Sequence, residues 1–122
     1  LVVGPFLPIP QAVNPNGLGL FMGSPISWNV GEGPKPTMTL VGLSESSGFP
    51  FWWLFVEGNR RHVPLPDLTA AWGLVPIWPG EGFLRLTSFY IPDGTINEFD
   101  YGALNQGSWR SWTIADFPAV WW

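Results

Sequence analysis

The sequence predicts an all-β fold: a two-sheet antiparallel β-sandwich (Ig-like or jelly-roll-like) with many short strands and Pro/Gly-rich turns. Three observations predict it. Gly (15) and Pro (14) together make 29 of the 122 residues, so a sustained helical period has little room. Runs rich in aromatic and β-branched residues lie between these turn formers. The runs recur roughly every 8–12 residues, a spacing typical of sandwiches and barrels.

Each candidate strand is a run of apolar, aromatic and β-branched residues bounded by turn formers. These runs are 18–22, 25–30, 37–43, 50–57, 60–65, 73–78, 82–91, 95–101 and 108–115. The segment DLTAAWG at 67–73 instead predicts one short helical turn, with Asp67 as the N-cap and Gly73 as the stop.

The length of the chain predicts one domain with a sizeable core. Residues 1–17 are predicted to form a Pro-rich N-terminal arm or edge strand, because three prolines there lack an N–H donor. Residues 18–122 form the single β-sandwich domain in this prediction. Its predicted core residues include Trp28, Met38, Leu40, Leu84, Leu86, Ile114 and Phe117.

The composition excludes several classes of function. The formal net charge is −4 and only Arg60 and Arg61 form an adjacent basic pair, so nucleic acid is not an expected partner. No run is long and apolar enough to predict a transmembrane span. The chain has no cysteine, which leaves no disulfide and no thiolate metal site. Charged residues make only 11% of the chain, and it begins at Leu1 without a methionine. We therefore expect an exported, trimmed protein that is extracellular, periplasmic or on a virion surface.

The ordered strings GSPISWNVGEGPKPTMTLVGLSES, VPLPDL and GEGFLRLTSFYIPDGT suggest a family. Over roughly residues 18 to 95 the chain resembles β-sandwich modules at the C-terminal side of secreted proteins of planctomycete-like bacteria. It departs from them in its tryptophan content, above all in FPFWWLFV and from Ser108 onward. The resemblance implies an exported, non-catalytic sandwich, and it implies nothing about a ligand.

The titratable residues favour a protein that is not an enzyme. His62 is the only histidine, so one chain cannot form a multi-histidine metal site. Several of the acidic residues lie beside Gly, Asn or Pro, where they suit turns rather than a pair of catalytic carboxylates. Asp93, Glu98 and Asp100 lack the spacing of an EF-hand. We expect no catalytic residue, no metal and no cofactor.

The nine tryptophans carry the functional prediction. In the run FPFWWLFVEG at 49–58, Trp52 and Trp53 must point to opposite faces of a strand, so one face needs a second cover. The favoured hypothesis is a structural or interaction module of a larger assembly that contacts protein partners through exposed Trp and Phe. Its predicted contact residues are Trp52, Trp53, Arg60, Arg61, Trp109, Trp121 and Trp122.

Two alternatives stay open on the same residues. The first is a carbohydrate-binding module with a tryptophan platform, whose site would be Asn105, Gln106, Trp109 and Arg110 in DYGALNQGSWRSW. The second is a peripheral subunit that touches a membrane surface through FPFWWLFV or the terminal AVWW, since indoles are enriched at headgroup level.

Overall fold

The structure, a computed structural model, describes residues 6–14, 25–64, 80–92 and 111–121, and only the backbone of Phe51 and Trp121. The regular elements in these ranges are all strands. They are β1 (Pro10–Asn14), β2 (Pro25–Val30), β3 (Met38–Glu45), β4 (Pro50–Glu57), β5 (His62–Pro64), β6 (Gly80–Tyr90) and β7 (Ser111–Trp121).

Two antiparallel sheets form the fold. One has three strands in the order β1-β2-β5, and the other has four in the order β4-β3-β6-β7. The predicted all-β, two-sheet sandwich is therefore confirmed.

Local sequence explains the tight hairpin between β3 and β4. Gly48 has a φ of 85°, a left-handed conformation that glycine adopts without steric cost. The N–H of Glu45 donates to the carbonyl of Phe49 at 3.0 Å, and the N–H of Gly48 donates to the carbonyl of Glu45 at 2.8 Å. This turn sets the register in which β4 pairs with β3.

The hydrophobic core lies between the two sheets. Its buried members are Ile26, Trp28 and Val63 from the three-stranded sheet, and Val41, Leu43, Val56, Leu84, Leu86 and Ala119 from the four-stranded sheet. Trp28, at 1% exposure, is the largest of the fully buried side chains. The core side of the four-stranded sheet is called the inner face below, and its other side the outer face.

Most of the predicted core residues are buried. Trp28, Met38, Leu84 and Leu86 are buried, and Phe117 is half-buried against the core. The core prediction is wrong for Ile114, which is exposed. Phe117 and Ala119 of β7 point to the core, so the even-numbered residues of this strand, including Ile114, point to the outer face. Leu40 is half-buried, and its cross-strand partner Phe55 also lies off the inner face.

The strand boundaries differ mainly at the ends of long strands. The predicted strands 25–30 and 50–57 match β2 and β4, whereas β7 runs six residues beyond the predicted end at 115. Within the predicted N-terminal arm, Pro10–Asn14 forms β1 at an edge of the three-stranded sheet. The predicted strands 18–22, 73–78 and 95–101 and the helical turn 67–73 lie outside the described residues.

Close backbone packing joins the turn after β4 to the segment before β3. The N–H of Gly58 donates to the carbonyl of Thr37 at 3.0 Å. A Cβ on Gly58 would lie 1.7 Å from the carbonyl oxygen of Pro36. Only glycine fits there without moving the backbone of one of the two segments.

Candidate functional site

The two neighbouring tryptophans of β4 lie on opposite faces of the four-stranded sheet, as the period of a strand requires. Trp52 is half-buried on the inner face and packs against the core. Trp53 pairs with Gly42 of β3 on the outer face, and 65% of its surface is exposed. The core therefore covers part of one of these rings, and the other ring lies mostly in solvent.

Exposed apolar side chains continue across the outer face to β6 and β7. We call Phe83, Trp112, Ile114 and Val120 the outer strip; all four are exposed large hydrophobic residues. They share this face because β7 places its even-numbered residues outward while Phe117 and Ala119 point to the core. The outer strip consists of uncharged, solvent-exposed side chains on two paired strands.

One ion pair interrupts this apolar face. Arg85 of β6 lies opposite Asp116 of β7, and its Nε and Nη2 donate to the two carboxylate oxygens of Asp116 at 2.7 Å each. The hydrogen bond and the neighbouring charge raise the pKa of Arg85 and lower the pKa of Asp116, although partial desolvation opposes both shifts. The two charges cancel locally, so the outer face is close to neutral here.

A cavity of about 300 Å³ opens on the outer face between Trp53 and Arg85. Strand pairing places Trp53, Gly42, Arg85 and Asp116 in one line across β4, β3, β6 and β7. Because Gly42 has no side chain, it leaves a depression between the indole and the guanidinium. Ser44, Gly48 and Pro50 close one end of it. We call this depression the Gly42 groove.

The predicted rim arginines lie at the turn that precedes β5. Arg60 is exposed, and Arg61 is half-buried with its Nη1 donating to the carbonyls of Gly58 and Arg60. Arg60 also lines a shallow depression along the backbone of β4, beside Leu54 and Glu57. The side chain of Arg61 thus hydrogen-bonds within its own turn, whereas Arg60 lies beside the end of β4.

The other predicted contact residues are tryptophans whose side chains the structure does not describe. Trp109 and Trp122 lie outside the described residues, and only the backbone of Trp121 is described, at the end of β7. The alternative sugar-site residues Asn105, Gln106 and Arg110 also lie outside the described ranges.

The described acids and the single histidine are not grouped as metal ligands. His62 lies at an exposed position of β5, and Asp116 is engaged by Arg85. Within residues 6–14, 25–64, 80–92 and 111–121, no three His, Asp or Glu side chains are placed to hold a metal ion. In the same ranges, no helix has the length and apolar character to cross a membrane.

The contact residues predicted from the sequence include Trp53 but not the outer strip, Gly42 or the ion pair. A signal existed in β7, where positions 112, 114, 118 and 120 repeat apolar residues with a period of two. The residues that contact the core alternate with them, so both faces of β7 are apolar. The pairing of Gly42 with Trp53 and Arg85 had no local signal, because it depends on register.

Comparison with family models, with curated proteins and with solved structures gives no match to this chain. The resemblance to planctomycete-like secreted modules stays a prediction.

Proposed function

We propose that this protein is a non-enzymatic interaction module of a larger extracellular, periplasmic or virion-surface assembly. It contacts a protein partner through the outer face of its four-stranded sheet, with the outer strip as the centre of the contact. The exposure of the outer strip is the observation that carries the proposal, because four large apolar side chains on two paired strands stay in contact with water in the isolated chain.

The chemistry of the face defines the partner. Tryptophan and phenylalanine on a rigid sheet are typical anchors of protein contacts, since they bury much area and lose little conformational entropy. Arg85 and Asp116 neutralise each other, and the exposed Glu81, opposite Val120, is a further acid beside the outer strip. A partner with a flat, apolar and largely uncharged surface fits this face best.

Site-specific crosslinking tests the proposal with a control inside the chain. A photo-reactive amino acid replaces Ile114 in the outer strip, or Val13 on β1, which is 45% exposed and lies in the other sheet. In an extract of the source organism, we expect the Ile114 probe to give one discrete protein product. The Val13 probe should give none. Mass spectrometry identifies the product, and a product of twice the chain mass identifies a second copy as the partner.

Competition shows whether the contact is specific. Unlabelled protein should suppress the crosslink, and an Ile114→Lys variant should need at least about tenfold more protein to do so, because a charge would be buried at the contact. Val13→Lys is the matched control, since Val13 and Ile114 are 45% and 40% exposed and both lie in strands. Equal competition by both lysine variants would exclude the outer strip as the contact.

A further inference from the structure

The Gly42 groove combines an aromatic wall with polar groups at a spacing fixed by the sheet. Trp53 and Arg85 lie on β4 and β6, on either side of β3, so their backbones are separated by about 10 Å, twice the strand spacing. Gly42 forms the floor between them, and a Cβ there would have its nearest neighbours at 3.7 and 4.0 Å. The position therefore has room for a larger residue, and glycine leaves that room open.

The polar side of the groove retains unused hydrogen-bonding groups. Within the described part of the chain, both side-chain hydrogen bonds of Arg85 go to Asp116, from Nε and Nη2. The two N–H groups of its Nη1 stay available as donors. The carboxylate holds the guanidinium plane in one orientation, and the hydroxyl of Ser44 adds a group that both donates and accepts.

A ligand for this groove must have one apolar face and a rim of hydroxyl groups. The exposed indole of Trp53 offers a flat, electron-rich face, which attracts the weakly positive C–H groups on one side of a pyranose ring. The fixed guanidinium and Ser44 reach hydroxyl groups at the edge of such a ring. Because Arg85 and Asp116 neutralise each other, a charged ligand gains little. The volume of about 300 Å³ lies at the lower end of small-molecule sites.

We propose that the Gly42 groove binds a neutral pyranose ring, stacked on Trp53 and hydrogen-bonded to Arg85. This site differs from the sugar site that the sequence predicts around Asn105–Arg110. It also uses a different apolar anchor from the protein contact, because the ring stacks on Trp53 of β4 and the outer strip lies on β6 and β7.

Calorimetric titration of the wild-type protein tests the proposal. The ligands are neutral oligosaccharides of glucose, mannose, galactose, xylose and N-acetylglucosamine, with adenosine as an aromatic comparison. We expect saturable binding of at least one oligosaccharide. Its affinity should change little with added salt, since neither ligand nor site carries net charge.

Variants in the groove locate the site. Trp53→Ala and Gly42→Val should each weaken binding at least about tenfold, the first by removing the stacking face and the second by filling the floor. Trp112→Ala and Ile114→Lys alter the outer strip on the same face and should leave sugar binding unchanged. The Ile114→Lys result also separates the two proposals, because this variant should lose the protein contact and keep the sugar.

Nuclear magnetic resonance measures binding in the wild-type protein, and a groove variant serves only to assign one signal. The indole N–H signal of Trp53, assigned by its absence in Trp53→Phe, should shift on titration of the wild-type protein with the bound sugar. A flat response to the whole panel would overturn the proposal. So would full binding by Trp53→Ala, an unmoved Trp53 signal, or tighter binding of adenosine than of any sugar.

Discussion

At the scale of single residues, glycines at two places in the four-stranded sheet region have opposite physical roles. Gly58 permits a close approach, since a Cβ there would collide with the backbone of Pro36. Gly42 permits a space, since a Cβ there would meet only ordinary van der Waals neighbours. Sequence alone shows Gly42 between Val41 and Leu43 and Gly58 between Glu57 and Asn59, and neither setting gives the space around the glycine. The difference depends on which backbone lies opposite each one.

This difference predicts opposite effects of the same substitution. Gly58→Ala should lower the free energy of unfolding by about 1–3 kcal/mol, because the loop before β3 must move. Gly42→Ala should leave it unchanged or raise it by about 0.5 kcal/mol, since alanine restricts the unfolded chain more than glycine. Urea denaturation of the two variants measures both values. Equal destabilisation would contradict the backbone contact assigned to Gly58.

At the scale of the elements, β6 and β7 are joined along eleven paired positions, and one of these pairs is ionic. The Arg85 and Asp116 side chains are 54% and 39% exposed, so solvent screens their attraction. Apolar contacts and backbone hydrogen bonds along the two long strands therefore contribute most of the stability of the β6–β7 pairing. The ion pair instead orients the guanidinium and keeps the centre of an apolar face hydrated.

The ion pair predicts a small dependence of stability on pH. The pKa of Asp116 is lowered in the folded protein, so its contribution is fully present above the ordinary aspartate pKa. It is lost as the pH falls through the lower folded value. The exposed pair should contribute no more than about 1 kcal/mol.

Comparison with Asp116→Asn isolates this contribution. The wild type should be the more stable protein at neutral pH, and the difference should shrink as the solution is acidified or salt is added. Urea denaturation across the acidic range provides the measurement. A difference that grew on acidification would contradict the assigned direction of the pKa shift.

At the scale of the whole molecule, the tryptophans divide between core and surface. Trp28 fills the space between the sheets, and its indole N–H has no hydrogen-bond partner among the described groups. Trp53 lies on the outer face, although both residues lie in strands. The sandwich has one interior, so rings that face away from it lie at the surface unless another body covers them.

The same change at these two tryptophans should therefore have very different effects. Trp28→Ala should cost about 3–5 kcal/mol of unfolding free energy, a large part of a typical total of roughly 5–15 kcal/mol. Trp53→Ala should stay within about 0.5 kcal/mol of the wild type, since its ring is mostly exposed. Thermal and urea denaturation measure both effects. A large loss in Trp53→Ala would show that its ring supports the fold.

The sequence by itself determined the all-β class, the positions of β2 and β4, and the placement of Trp52 and Trp53 on opposite faces. These features depend on the period of two and on turn-forming residues, which are local. Tertiary structure decided which face of each strand meets the core, and so placed Ile114 outside and Phe117 inside. Tertiary structure also placed Trp53, Gly42, Arg85 and Asp116 in one line across the four-stranded sheet. These residues are up to 74 positions apart in the sequence, and they become neighbours only through the register in which the four strands pair.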